Sequence, residues 1–166
     1  MCKSPTLIAL DAEMNRVLAL ATRAANRAAS AELDQDQAAW LARRAACARD
    51  KTEETCLREA YVSRIAAIRT DSAAARKADR HGRSLGPFSF RCDGVPAPLA
   101  ISYVNVPPNF AWVNTGDKGY FMRQLRSGSG ARYEGDGTLF WEAQGEARWR
   151  PTTGSPETTC TRMPAR

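Results

Sequence analysis

The sequence carries one histidine, His81, no Cys-x-x-Cys pair and no glycine loop of the phosphate-binding kind ahead of a helix. Each absence removes a class of function. A lone imidazole in a polar stretch argues against a histidine-based catalytic triad on a rigid frame, and a zinc centre lacks its usual ligand spacing. Nucleotide binding through a glycine-rich turn is equally unsupported. Long apolar runs are missing too: none approaches the ~18 residues of a membrane helix, and Lys3, Asp11, Glu13 and Arg16 break up any export-signal core at the start.

Charge of one sign is also never concentrated. The net charge is +6, but residues 1–84 hold 15 basic and 11 acidic side chains and residues 85–166 hold 9 and 7. Such mixing describes a solvated surface, not a nucleic-acid face. Most aromatics alternate with polar residues as core positions do, which argues against stacking on single strands. No nucleic-acid partner, metal or cofactor is expected. Five cysteines exceed ordinary cytosolic usage and point to an oxidising compartment, hence to a chain whose export signal has been trimmed and whose Met1 is an artificial start.

Composition changes sharply near residue 85. Before it alanine dominates and only Trp40 and Tyr61 are aromatic; after it come the other eleven aromatics and nearly all the glycines and prolines. In the first part Leu7, Leu10, Met14, Val17 and Ala21 recur at helical spacing. Asp34 with Gln37 resembles a capping box that starts a second helix bearing Trp40, Leu41 and Cys47. Asp50 with Glu53 repeats the pairing ahead of a third helix whose Leu57, Tyr61, Ile65 and Ile68 share one stripe. The expectation is a small all-α bundle over 1–71, then a basic linker or helix extension over 72–86.

The second part, 87–166, reads in twos. "FSFRC" (88–92), "LAISYVNV" (99–106), "FAWVN" (110–114), "GYFMRQL" (119–125), "ARYEG", "TLFWEA" and "EARWR" are short apolar segments separated by Pro/Asn or Gly/Asp turns. Six to eight antiparallel strands form a small sandwich or barrel. The fold class is therefore α+β in two segregated domains.

Cys92 opens the β part and Cys160 ends it; a bridge between them would contribute about 4.4 kcal/mol in the chain-entropy model. A Cys47–Cys56 bridge would pin the helical hairpin for about 2.7 kcal/mol. Free buried thiols or metal ligation are the alternatives. Cys2 is then left over for a partner lost with the trimmed start, an intermolecular bridge or a lipid. Catalytic residues are not evident: Glu134, Asp136, Glu142 and Glu146 flank turns, where carboxylates ordinarily serve solubility.

"FRCDG" at 90–94, "VNVPPNFAWV" at 104–113, "SGARYEGDG" at 129–137, "LFW" at 139–141, "GEA" at 145–147 and the closing Cys160 resemble, in order and spacing, the MliC/PliC inhibitors of c-type lysozyme. "CKSPTLIALDAEMNRV", "AAWLARRAACARD" and "CLREAYVSRIAAI" resemble the helical N-terminal domain of the LprI family, also named for lysozyme inhibition. The resemblance implies an eight-stranded antiparallel barrel that pushes its SGxxY loop into the lysozyme cleft. There Ser129 would hydrogen-bond a catalytic carboxylate, with Gly130, Ala131, Arg132 and Tyr133 completing the loop. Lysozyme works with one protonated and one ionised carboxyl, and a hydroxyl can meet either form. Gly128 and Gly130 would permit close approach, with the Phe140 and Trp141 strand behind. The plainer alternative is a hairpin turn in which Ser129 bonds its own backbone.

One position departs from the family. A lysine that commonly follows the tryptophan by two positions, and reaches the second carboxylate, is Ala143 here. Its loss could weaken inhibition a hundredfold or more, roughly. Gln144 would substitute as a neutral donor if the turn is shifted by one; Arg148 and Arg132 are the other candidates. The net positive charge opposes steering toward basic animal lysozymes, within a screening length of about 8 Å. The resemblance implies a non-enzymatic inhibitor of the periplasm or bacterial cell envelope, with membrane attachment through a lipid anchor outside this chain. Rivals are an immunity protein against a bacterial lysozyme-like toxin and a non-inhibitory envelope-binding module.

Overall fold

A computed structural model describes residues 4–50, 52–77 and 80–164, so the leftover Cys2 lies outside the described residues. The chain divides into two compact units between Arg83 and Ser84.

The first unit holds helices α1 (Pro5–Ala24), α2 (Arg27–Ala46), α3 (Glu53–Asp71) and the short α4 (Ala73–Arg76), with a single 3-10 turn, Cys47–Arg49, between α2 and α3. Leu7, Leu10, Met14, Val17 and Ala21 of α1 are all buried, as their spacing requires of a helix with one apolar face. They meet α3, where Val62 and Ala66 widen the buried stripe of Leu57, Tyr61, Ile65 and Ile68.

Helix α2 begins earlier than the Asp34–Gln37 pair suggested. Asn26 caps it by accepting the Ala29 N–H at 3.0 Å, after a break of only Ala25 and Asn26. Alanine-rich sequence simply propagates the helix backward to the first good cap. Leu41 is 44% exposed, and Trp40 alone of α2 is buried. The Trp40 indole donates to the Ala60 carbonyl at 2.8 Å and its ring meets Tyr61 edge-on at 5.2 Å. The second anchor of α2 is polar. Buried Arg64 of α3 donates to Gln37 Oε1 at 3.0 Å and lies 3.6 Å from Asp36, which supplies the partners that a buried guanidinium requires. Asp50 does not cap α3 directly; it accepts both the N–H and the hydroxyl of Thr52, the N-cap residue, at 2.8 Å. The Cys47–Cys56 disulfide, with Cα atoms 5.6 Å apart, ties the 3-10 turn to the first turns of α3.

The second unit is a closed antiparallel meander, β1-β2-β3-β4-β5-β6-β7-β8. Its strands are β1 (Ser84–Cys92), β2 (Leu99–Val104), β3 (Phe110–Asn114), β4 (Gly119–Leu125), β5 (Ala131–Gly135), β6 (Thr138–Ala143), β7 (Glu146–Arg150) and β8 (Thr158–Arg162). Strand β1 starts at Ser84, inside the stretch read as linker. A register shift between Leu85 and Phe88 lets it continue past Gly86, whose φ of +94° and approach to the Ile101 carbonyl leave no room for a side chain. Residues 73–76 of that same stretch form α4, separated from α3 at Ser72.

Phe90, Ile101, Val113, Met122, Phe140 and Trp149 fill the interior from alternate positions. Strand β8 closes the barrel against β1, and at that seam Cys92 and Cys160 are directly opposed and disulfide-bonded. Closure leaves no unpaired strand edge.

Candidate functional site

Connections of a meander alternate between the two ends of the barrel. The β2–β3 loop (105–109), the β4–β5 loop (126–130) and the β6–β7 turn (144–145) therefore share one rim, and the Ala131–Glu142 pair fixes their register. At this rim the Asn109 side chain donates to Gln124 Oε1 at 2.7 Å and the Gln124 N–H to the Asn109 carbonyl at 3.0 Å, which ties the "VNVPPN" loop to β4.

The β4–β5 loop is held from three directions. The Ser127 hydroxyl donates to the Gly130 carbonyl at 3.0 Å, so the loop closes on itself. Trp141 on β6 donates its indole N–H to the Ser129 carbonyl, also at 3.0 Å. Gly130, at φ +66°, packs against β6: a Cβ there would collide with the Glu142 carbonyl and lie 2.7 Å from the Ala143 methyl. Only glycine fits. Ser129 is exposed, and its hydroxyl has no partner among the described residues, so the self-bonded turn is not what forms. Its backbone is clamped while its side chain is available.

Gln144 and Gly145 both have positive φ, +54° and +86°, between the paired Ala143 and Glu146; this is a two-residue turn of the primed type, which matches strand twist. The turn projects Gln144 outward. Ser129, Trp141, Ala143, Gln144, Glu146 and Arg148 line a single groove of about 340 Å³. The structure thus brings Ser129, Gln144 and the departing position Ala143 together.

The remaining expected residues are placed differently. Ala131 is half-buried beneath the loop. Arg132 points outward but is engaged by its neighbour, its Nε donating to Glu134 Oε1 at 2.8 Å and its Nη2 pairing with the same oxygen. Tyr133, expected at the partner surface, is only 4% exposed. It faces inward because it alternates with Arg132 and Glu134 and pairs with Phe140, and its ring lies 5.4 Å from that of Tyr103. Burial, with the nearby Glu142 charge, pushes the Tyr133 hydroxyl up to about 12. Tyr103 donates to Glu142 Oε2 at 2.7 Å and is likewise pushed well above the ordinary tyrosine range, first by burial and then by that hydrogen bond. Glu142 is therefore a structural acceptor beneath the rim.

Sequence reading did not foresee the Trp141–Ser129 clamp, the Ser127 closure or the groove itself. The clamp needs the β5–β6 register, although two serines flanking Gly128 were a visible signal for a hydroxyl-closed loop.

Residues 90–157, which span most of the closed meander and include this loop, match the family described as membrane-bound lysozyme-inhibitor of c-type lysozyme, MliC. Most of the chain is related more widely. Over 150 residues it is 33% identical to Lipoprotein LprI of Mycobacterium tuberculosis and of Mycobacterium bovis, a match covering 89% of this chain and 71% of each relative. The chain belongs to the LprI family. No helix among the described residues is long and apolar enough to cross a membrane.

Proposed function

We propose that this protein is a non-enzymatic lysozyme inhibitor of the bacterial envelope or periplasm that inserts the Ser129 loop into the active-site cleft of a muramidase. The observation that carries the reading is the combination at Ser129 of a fixed backbone and an unengaged hydroxyl. A clamped loop loses little conformational freedom on docking, so its hydroxyl can meet a cleft carboxyl at a small ordering cost. Gly130 holds the loop against β6, Ala131 and Tyr133 support it from below, and Gln144 offers an amide donor on the same groove. Arg132, paired with Glu134, stays outside the groove. The lipid anchor implied by the lipoprotein relatives would hold the inhibitor where a muramidase attacks.

The test is loss of turbidity of a bacterial cell-wall suspension by a c-type lysozyme, with and without the full chain and its Ser129→Ala variant. Inhibition by the parent and its loss in the variant are expected; a parent without effect contradicts the reading for that enzyme. Ala143, in the place of the family lysine, favours a second reading, immunity against a bacterial muramidase toxin. A panel of host and bacterial muramidases separates the two, since equal potency on host lysozyme contradicts a dedicated immunity role.

A further inference from the structure

Of the two arginines named as candidates for the charge of the missing lysine, only Arg148 lines the groove beside Ser129. We propose that Arg148 supplies the positive charge of the inhibitory face, pairing with an ionised carboxylate in the target's cleft that Ala143 leaves unmet. The assignment rests on the inhibitor reading above and specifies the chemistry of its second contact.

Register places the residue. Arg148 pairs with Trp141 across β6 and β7, and Trp141 is the side chain that clamps the Ser129 carbonyl, so the backbones carrying hydroxyl and guanidinium are anchored on the same strand pair. Availability follows from its neighbours. The Arg148 side chain is 58% exposed, and its acidic neighbour Glu157 lies 3.9 Å away while also serving Arg150 at 3.6 Å. Glu157 therefore keeps a partner when Arg148 turns toward a target. Arg132, which pairs with Trp141 on the opposite side, is the natural comparison. It is spent on Glu134 and does not line the groove.

Glu146 sharpens the argument. It lines the same groove opposite Ala143, so without Arg148 the groove would present a lone negative charge to the target's carboxylate. Arg148 both offsets that repulsion and offers the planar fork that suits a carboxylate.

The experiment measures inhibition constants of the full chain against a lysozyme that the parent inhibits. Arg148→Ala should weaken inhibition about ten- to hundredfold, and the loss should shrink as salt rises. Arg148→Lys should recover part of it, and Ala143→Lys added to Arg148→Ala should recover more by restoring charge from the neighbouring strand. Arg132→Ala should stay within about twofold of the parent, as a surface pair would. Matching melting temperatures for all variants exclude a folding defect, which an exposed side chain on β7 gives no reason to expect. Unchanged inhibition in Arg148→Ala, alongside loss in Ser129→Ala, overturns this assignment and leaves the inhibitor reading standing. Equal weakening by Arg148→Ala and Arg132→Ala also overturns it, because net charge would then suffice. A parent that inhibits no lysozyme overturns both.

Discussion

The two units solve the same problem, ordering a short chain, by opposite means. The barrel closes on itself, so each strand has two hydrogen-bonded neighbours, and a disulfide sits at the one seam where chain ends must meet. The helical unit relies on a few decisive side chains: α2 is fastened by Trp40, by the Arg64–Gln37 contact and by the Cys47–Cys56 bridge, while most of its length is exposed. The lesson concerns where function can reside. A rim on a closed barrel is held by its strands, and a loop clamped to that rim inherits their rigidity; a helix held at a few points has no comparable frame.

Breaking the fasteners tests that contrast. Replacing Cys92 and Cys160 with alanine removes the longest covalent loop and should cost about 4.4 kcal/mol by the chain-entropy model. Urea unfolding followed by tryptophan fluorescence reads it, since Trp112, Trp141 and Trp149 report on the barrel. Trp40→Ala should cost the helical unit about 4 kcal/mol, because a fully buried ring and its bond to Ala60 are lost together; far-ultraviolet ellipticity during unfolding checks it. Removing Cys47 and Cys56 closes a shorter loop and should cost only about 2.7 kcal/mol. If the two double-cysteine variants lose equal stability, loop length is not what separates the two frames.

The smallest effect is one of pH. Tyr133 ionises at about 12 in the folded barrel against an ordinary 10.0, and Tyr103 is shifted in the same direction. A raised value means that the folded state holds its proton longer. The stabilisation is therefore complete below pH 10 and is lost as pH rises toward 12. Urea midpoints should fall across that interval, and the fall should flatten in a Tyr133→Phe variant.

Much of this was legible in the sequence. The α1 stripe from Leu7 to Ala21 and seven of the strands follow from period alone. Strand β8 did not, since Thr158 to Arg162 lack alternating large apolar residues and are placed by closure against β1 and β7. The start of α2 was misjudged because alanine carries no boundary signal and Asn26 does the capping. At the site, the loop was legible as a motif, but the groove was not: Ser129 and Gln144 meet only through the alternation of connections around the barrel. Tyr133 is the instructive miss. Its flanking Arg132 and Glu134 already marked it as inward, and membership of the motif was read as contact with a partner.

The central claim is that the Ser129 rim occupies the catalytic cleft itself. Its most direct test is calorimetric titration of the full chain into a c-type lysozyme with and without a saturating chitooligosaccharide that fills the cleft. The account predicts competition, with apparent affinity falling in proportion to the oligosaccharide bound. Undiminished binding to the saccharide-filled enzyme would place the contact outside the cleft and contradict it.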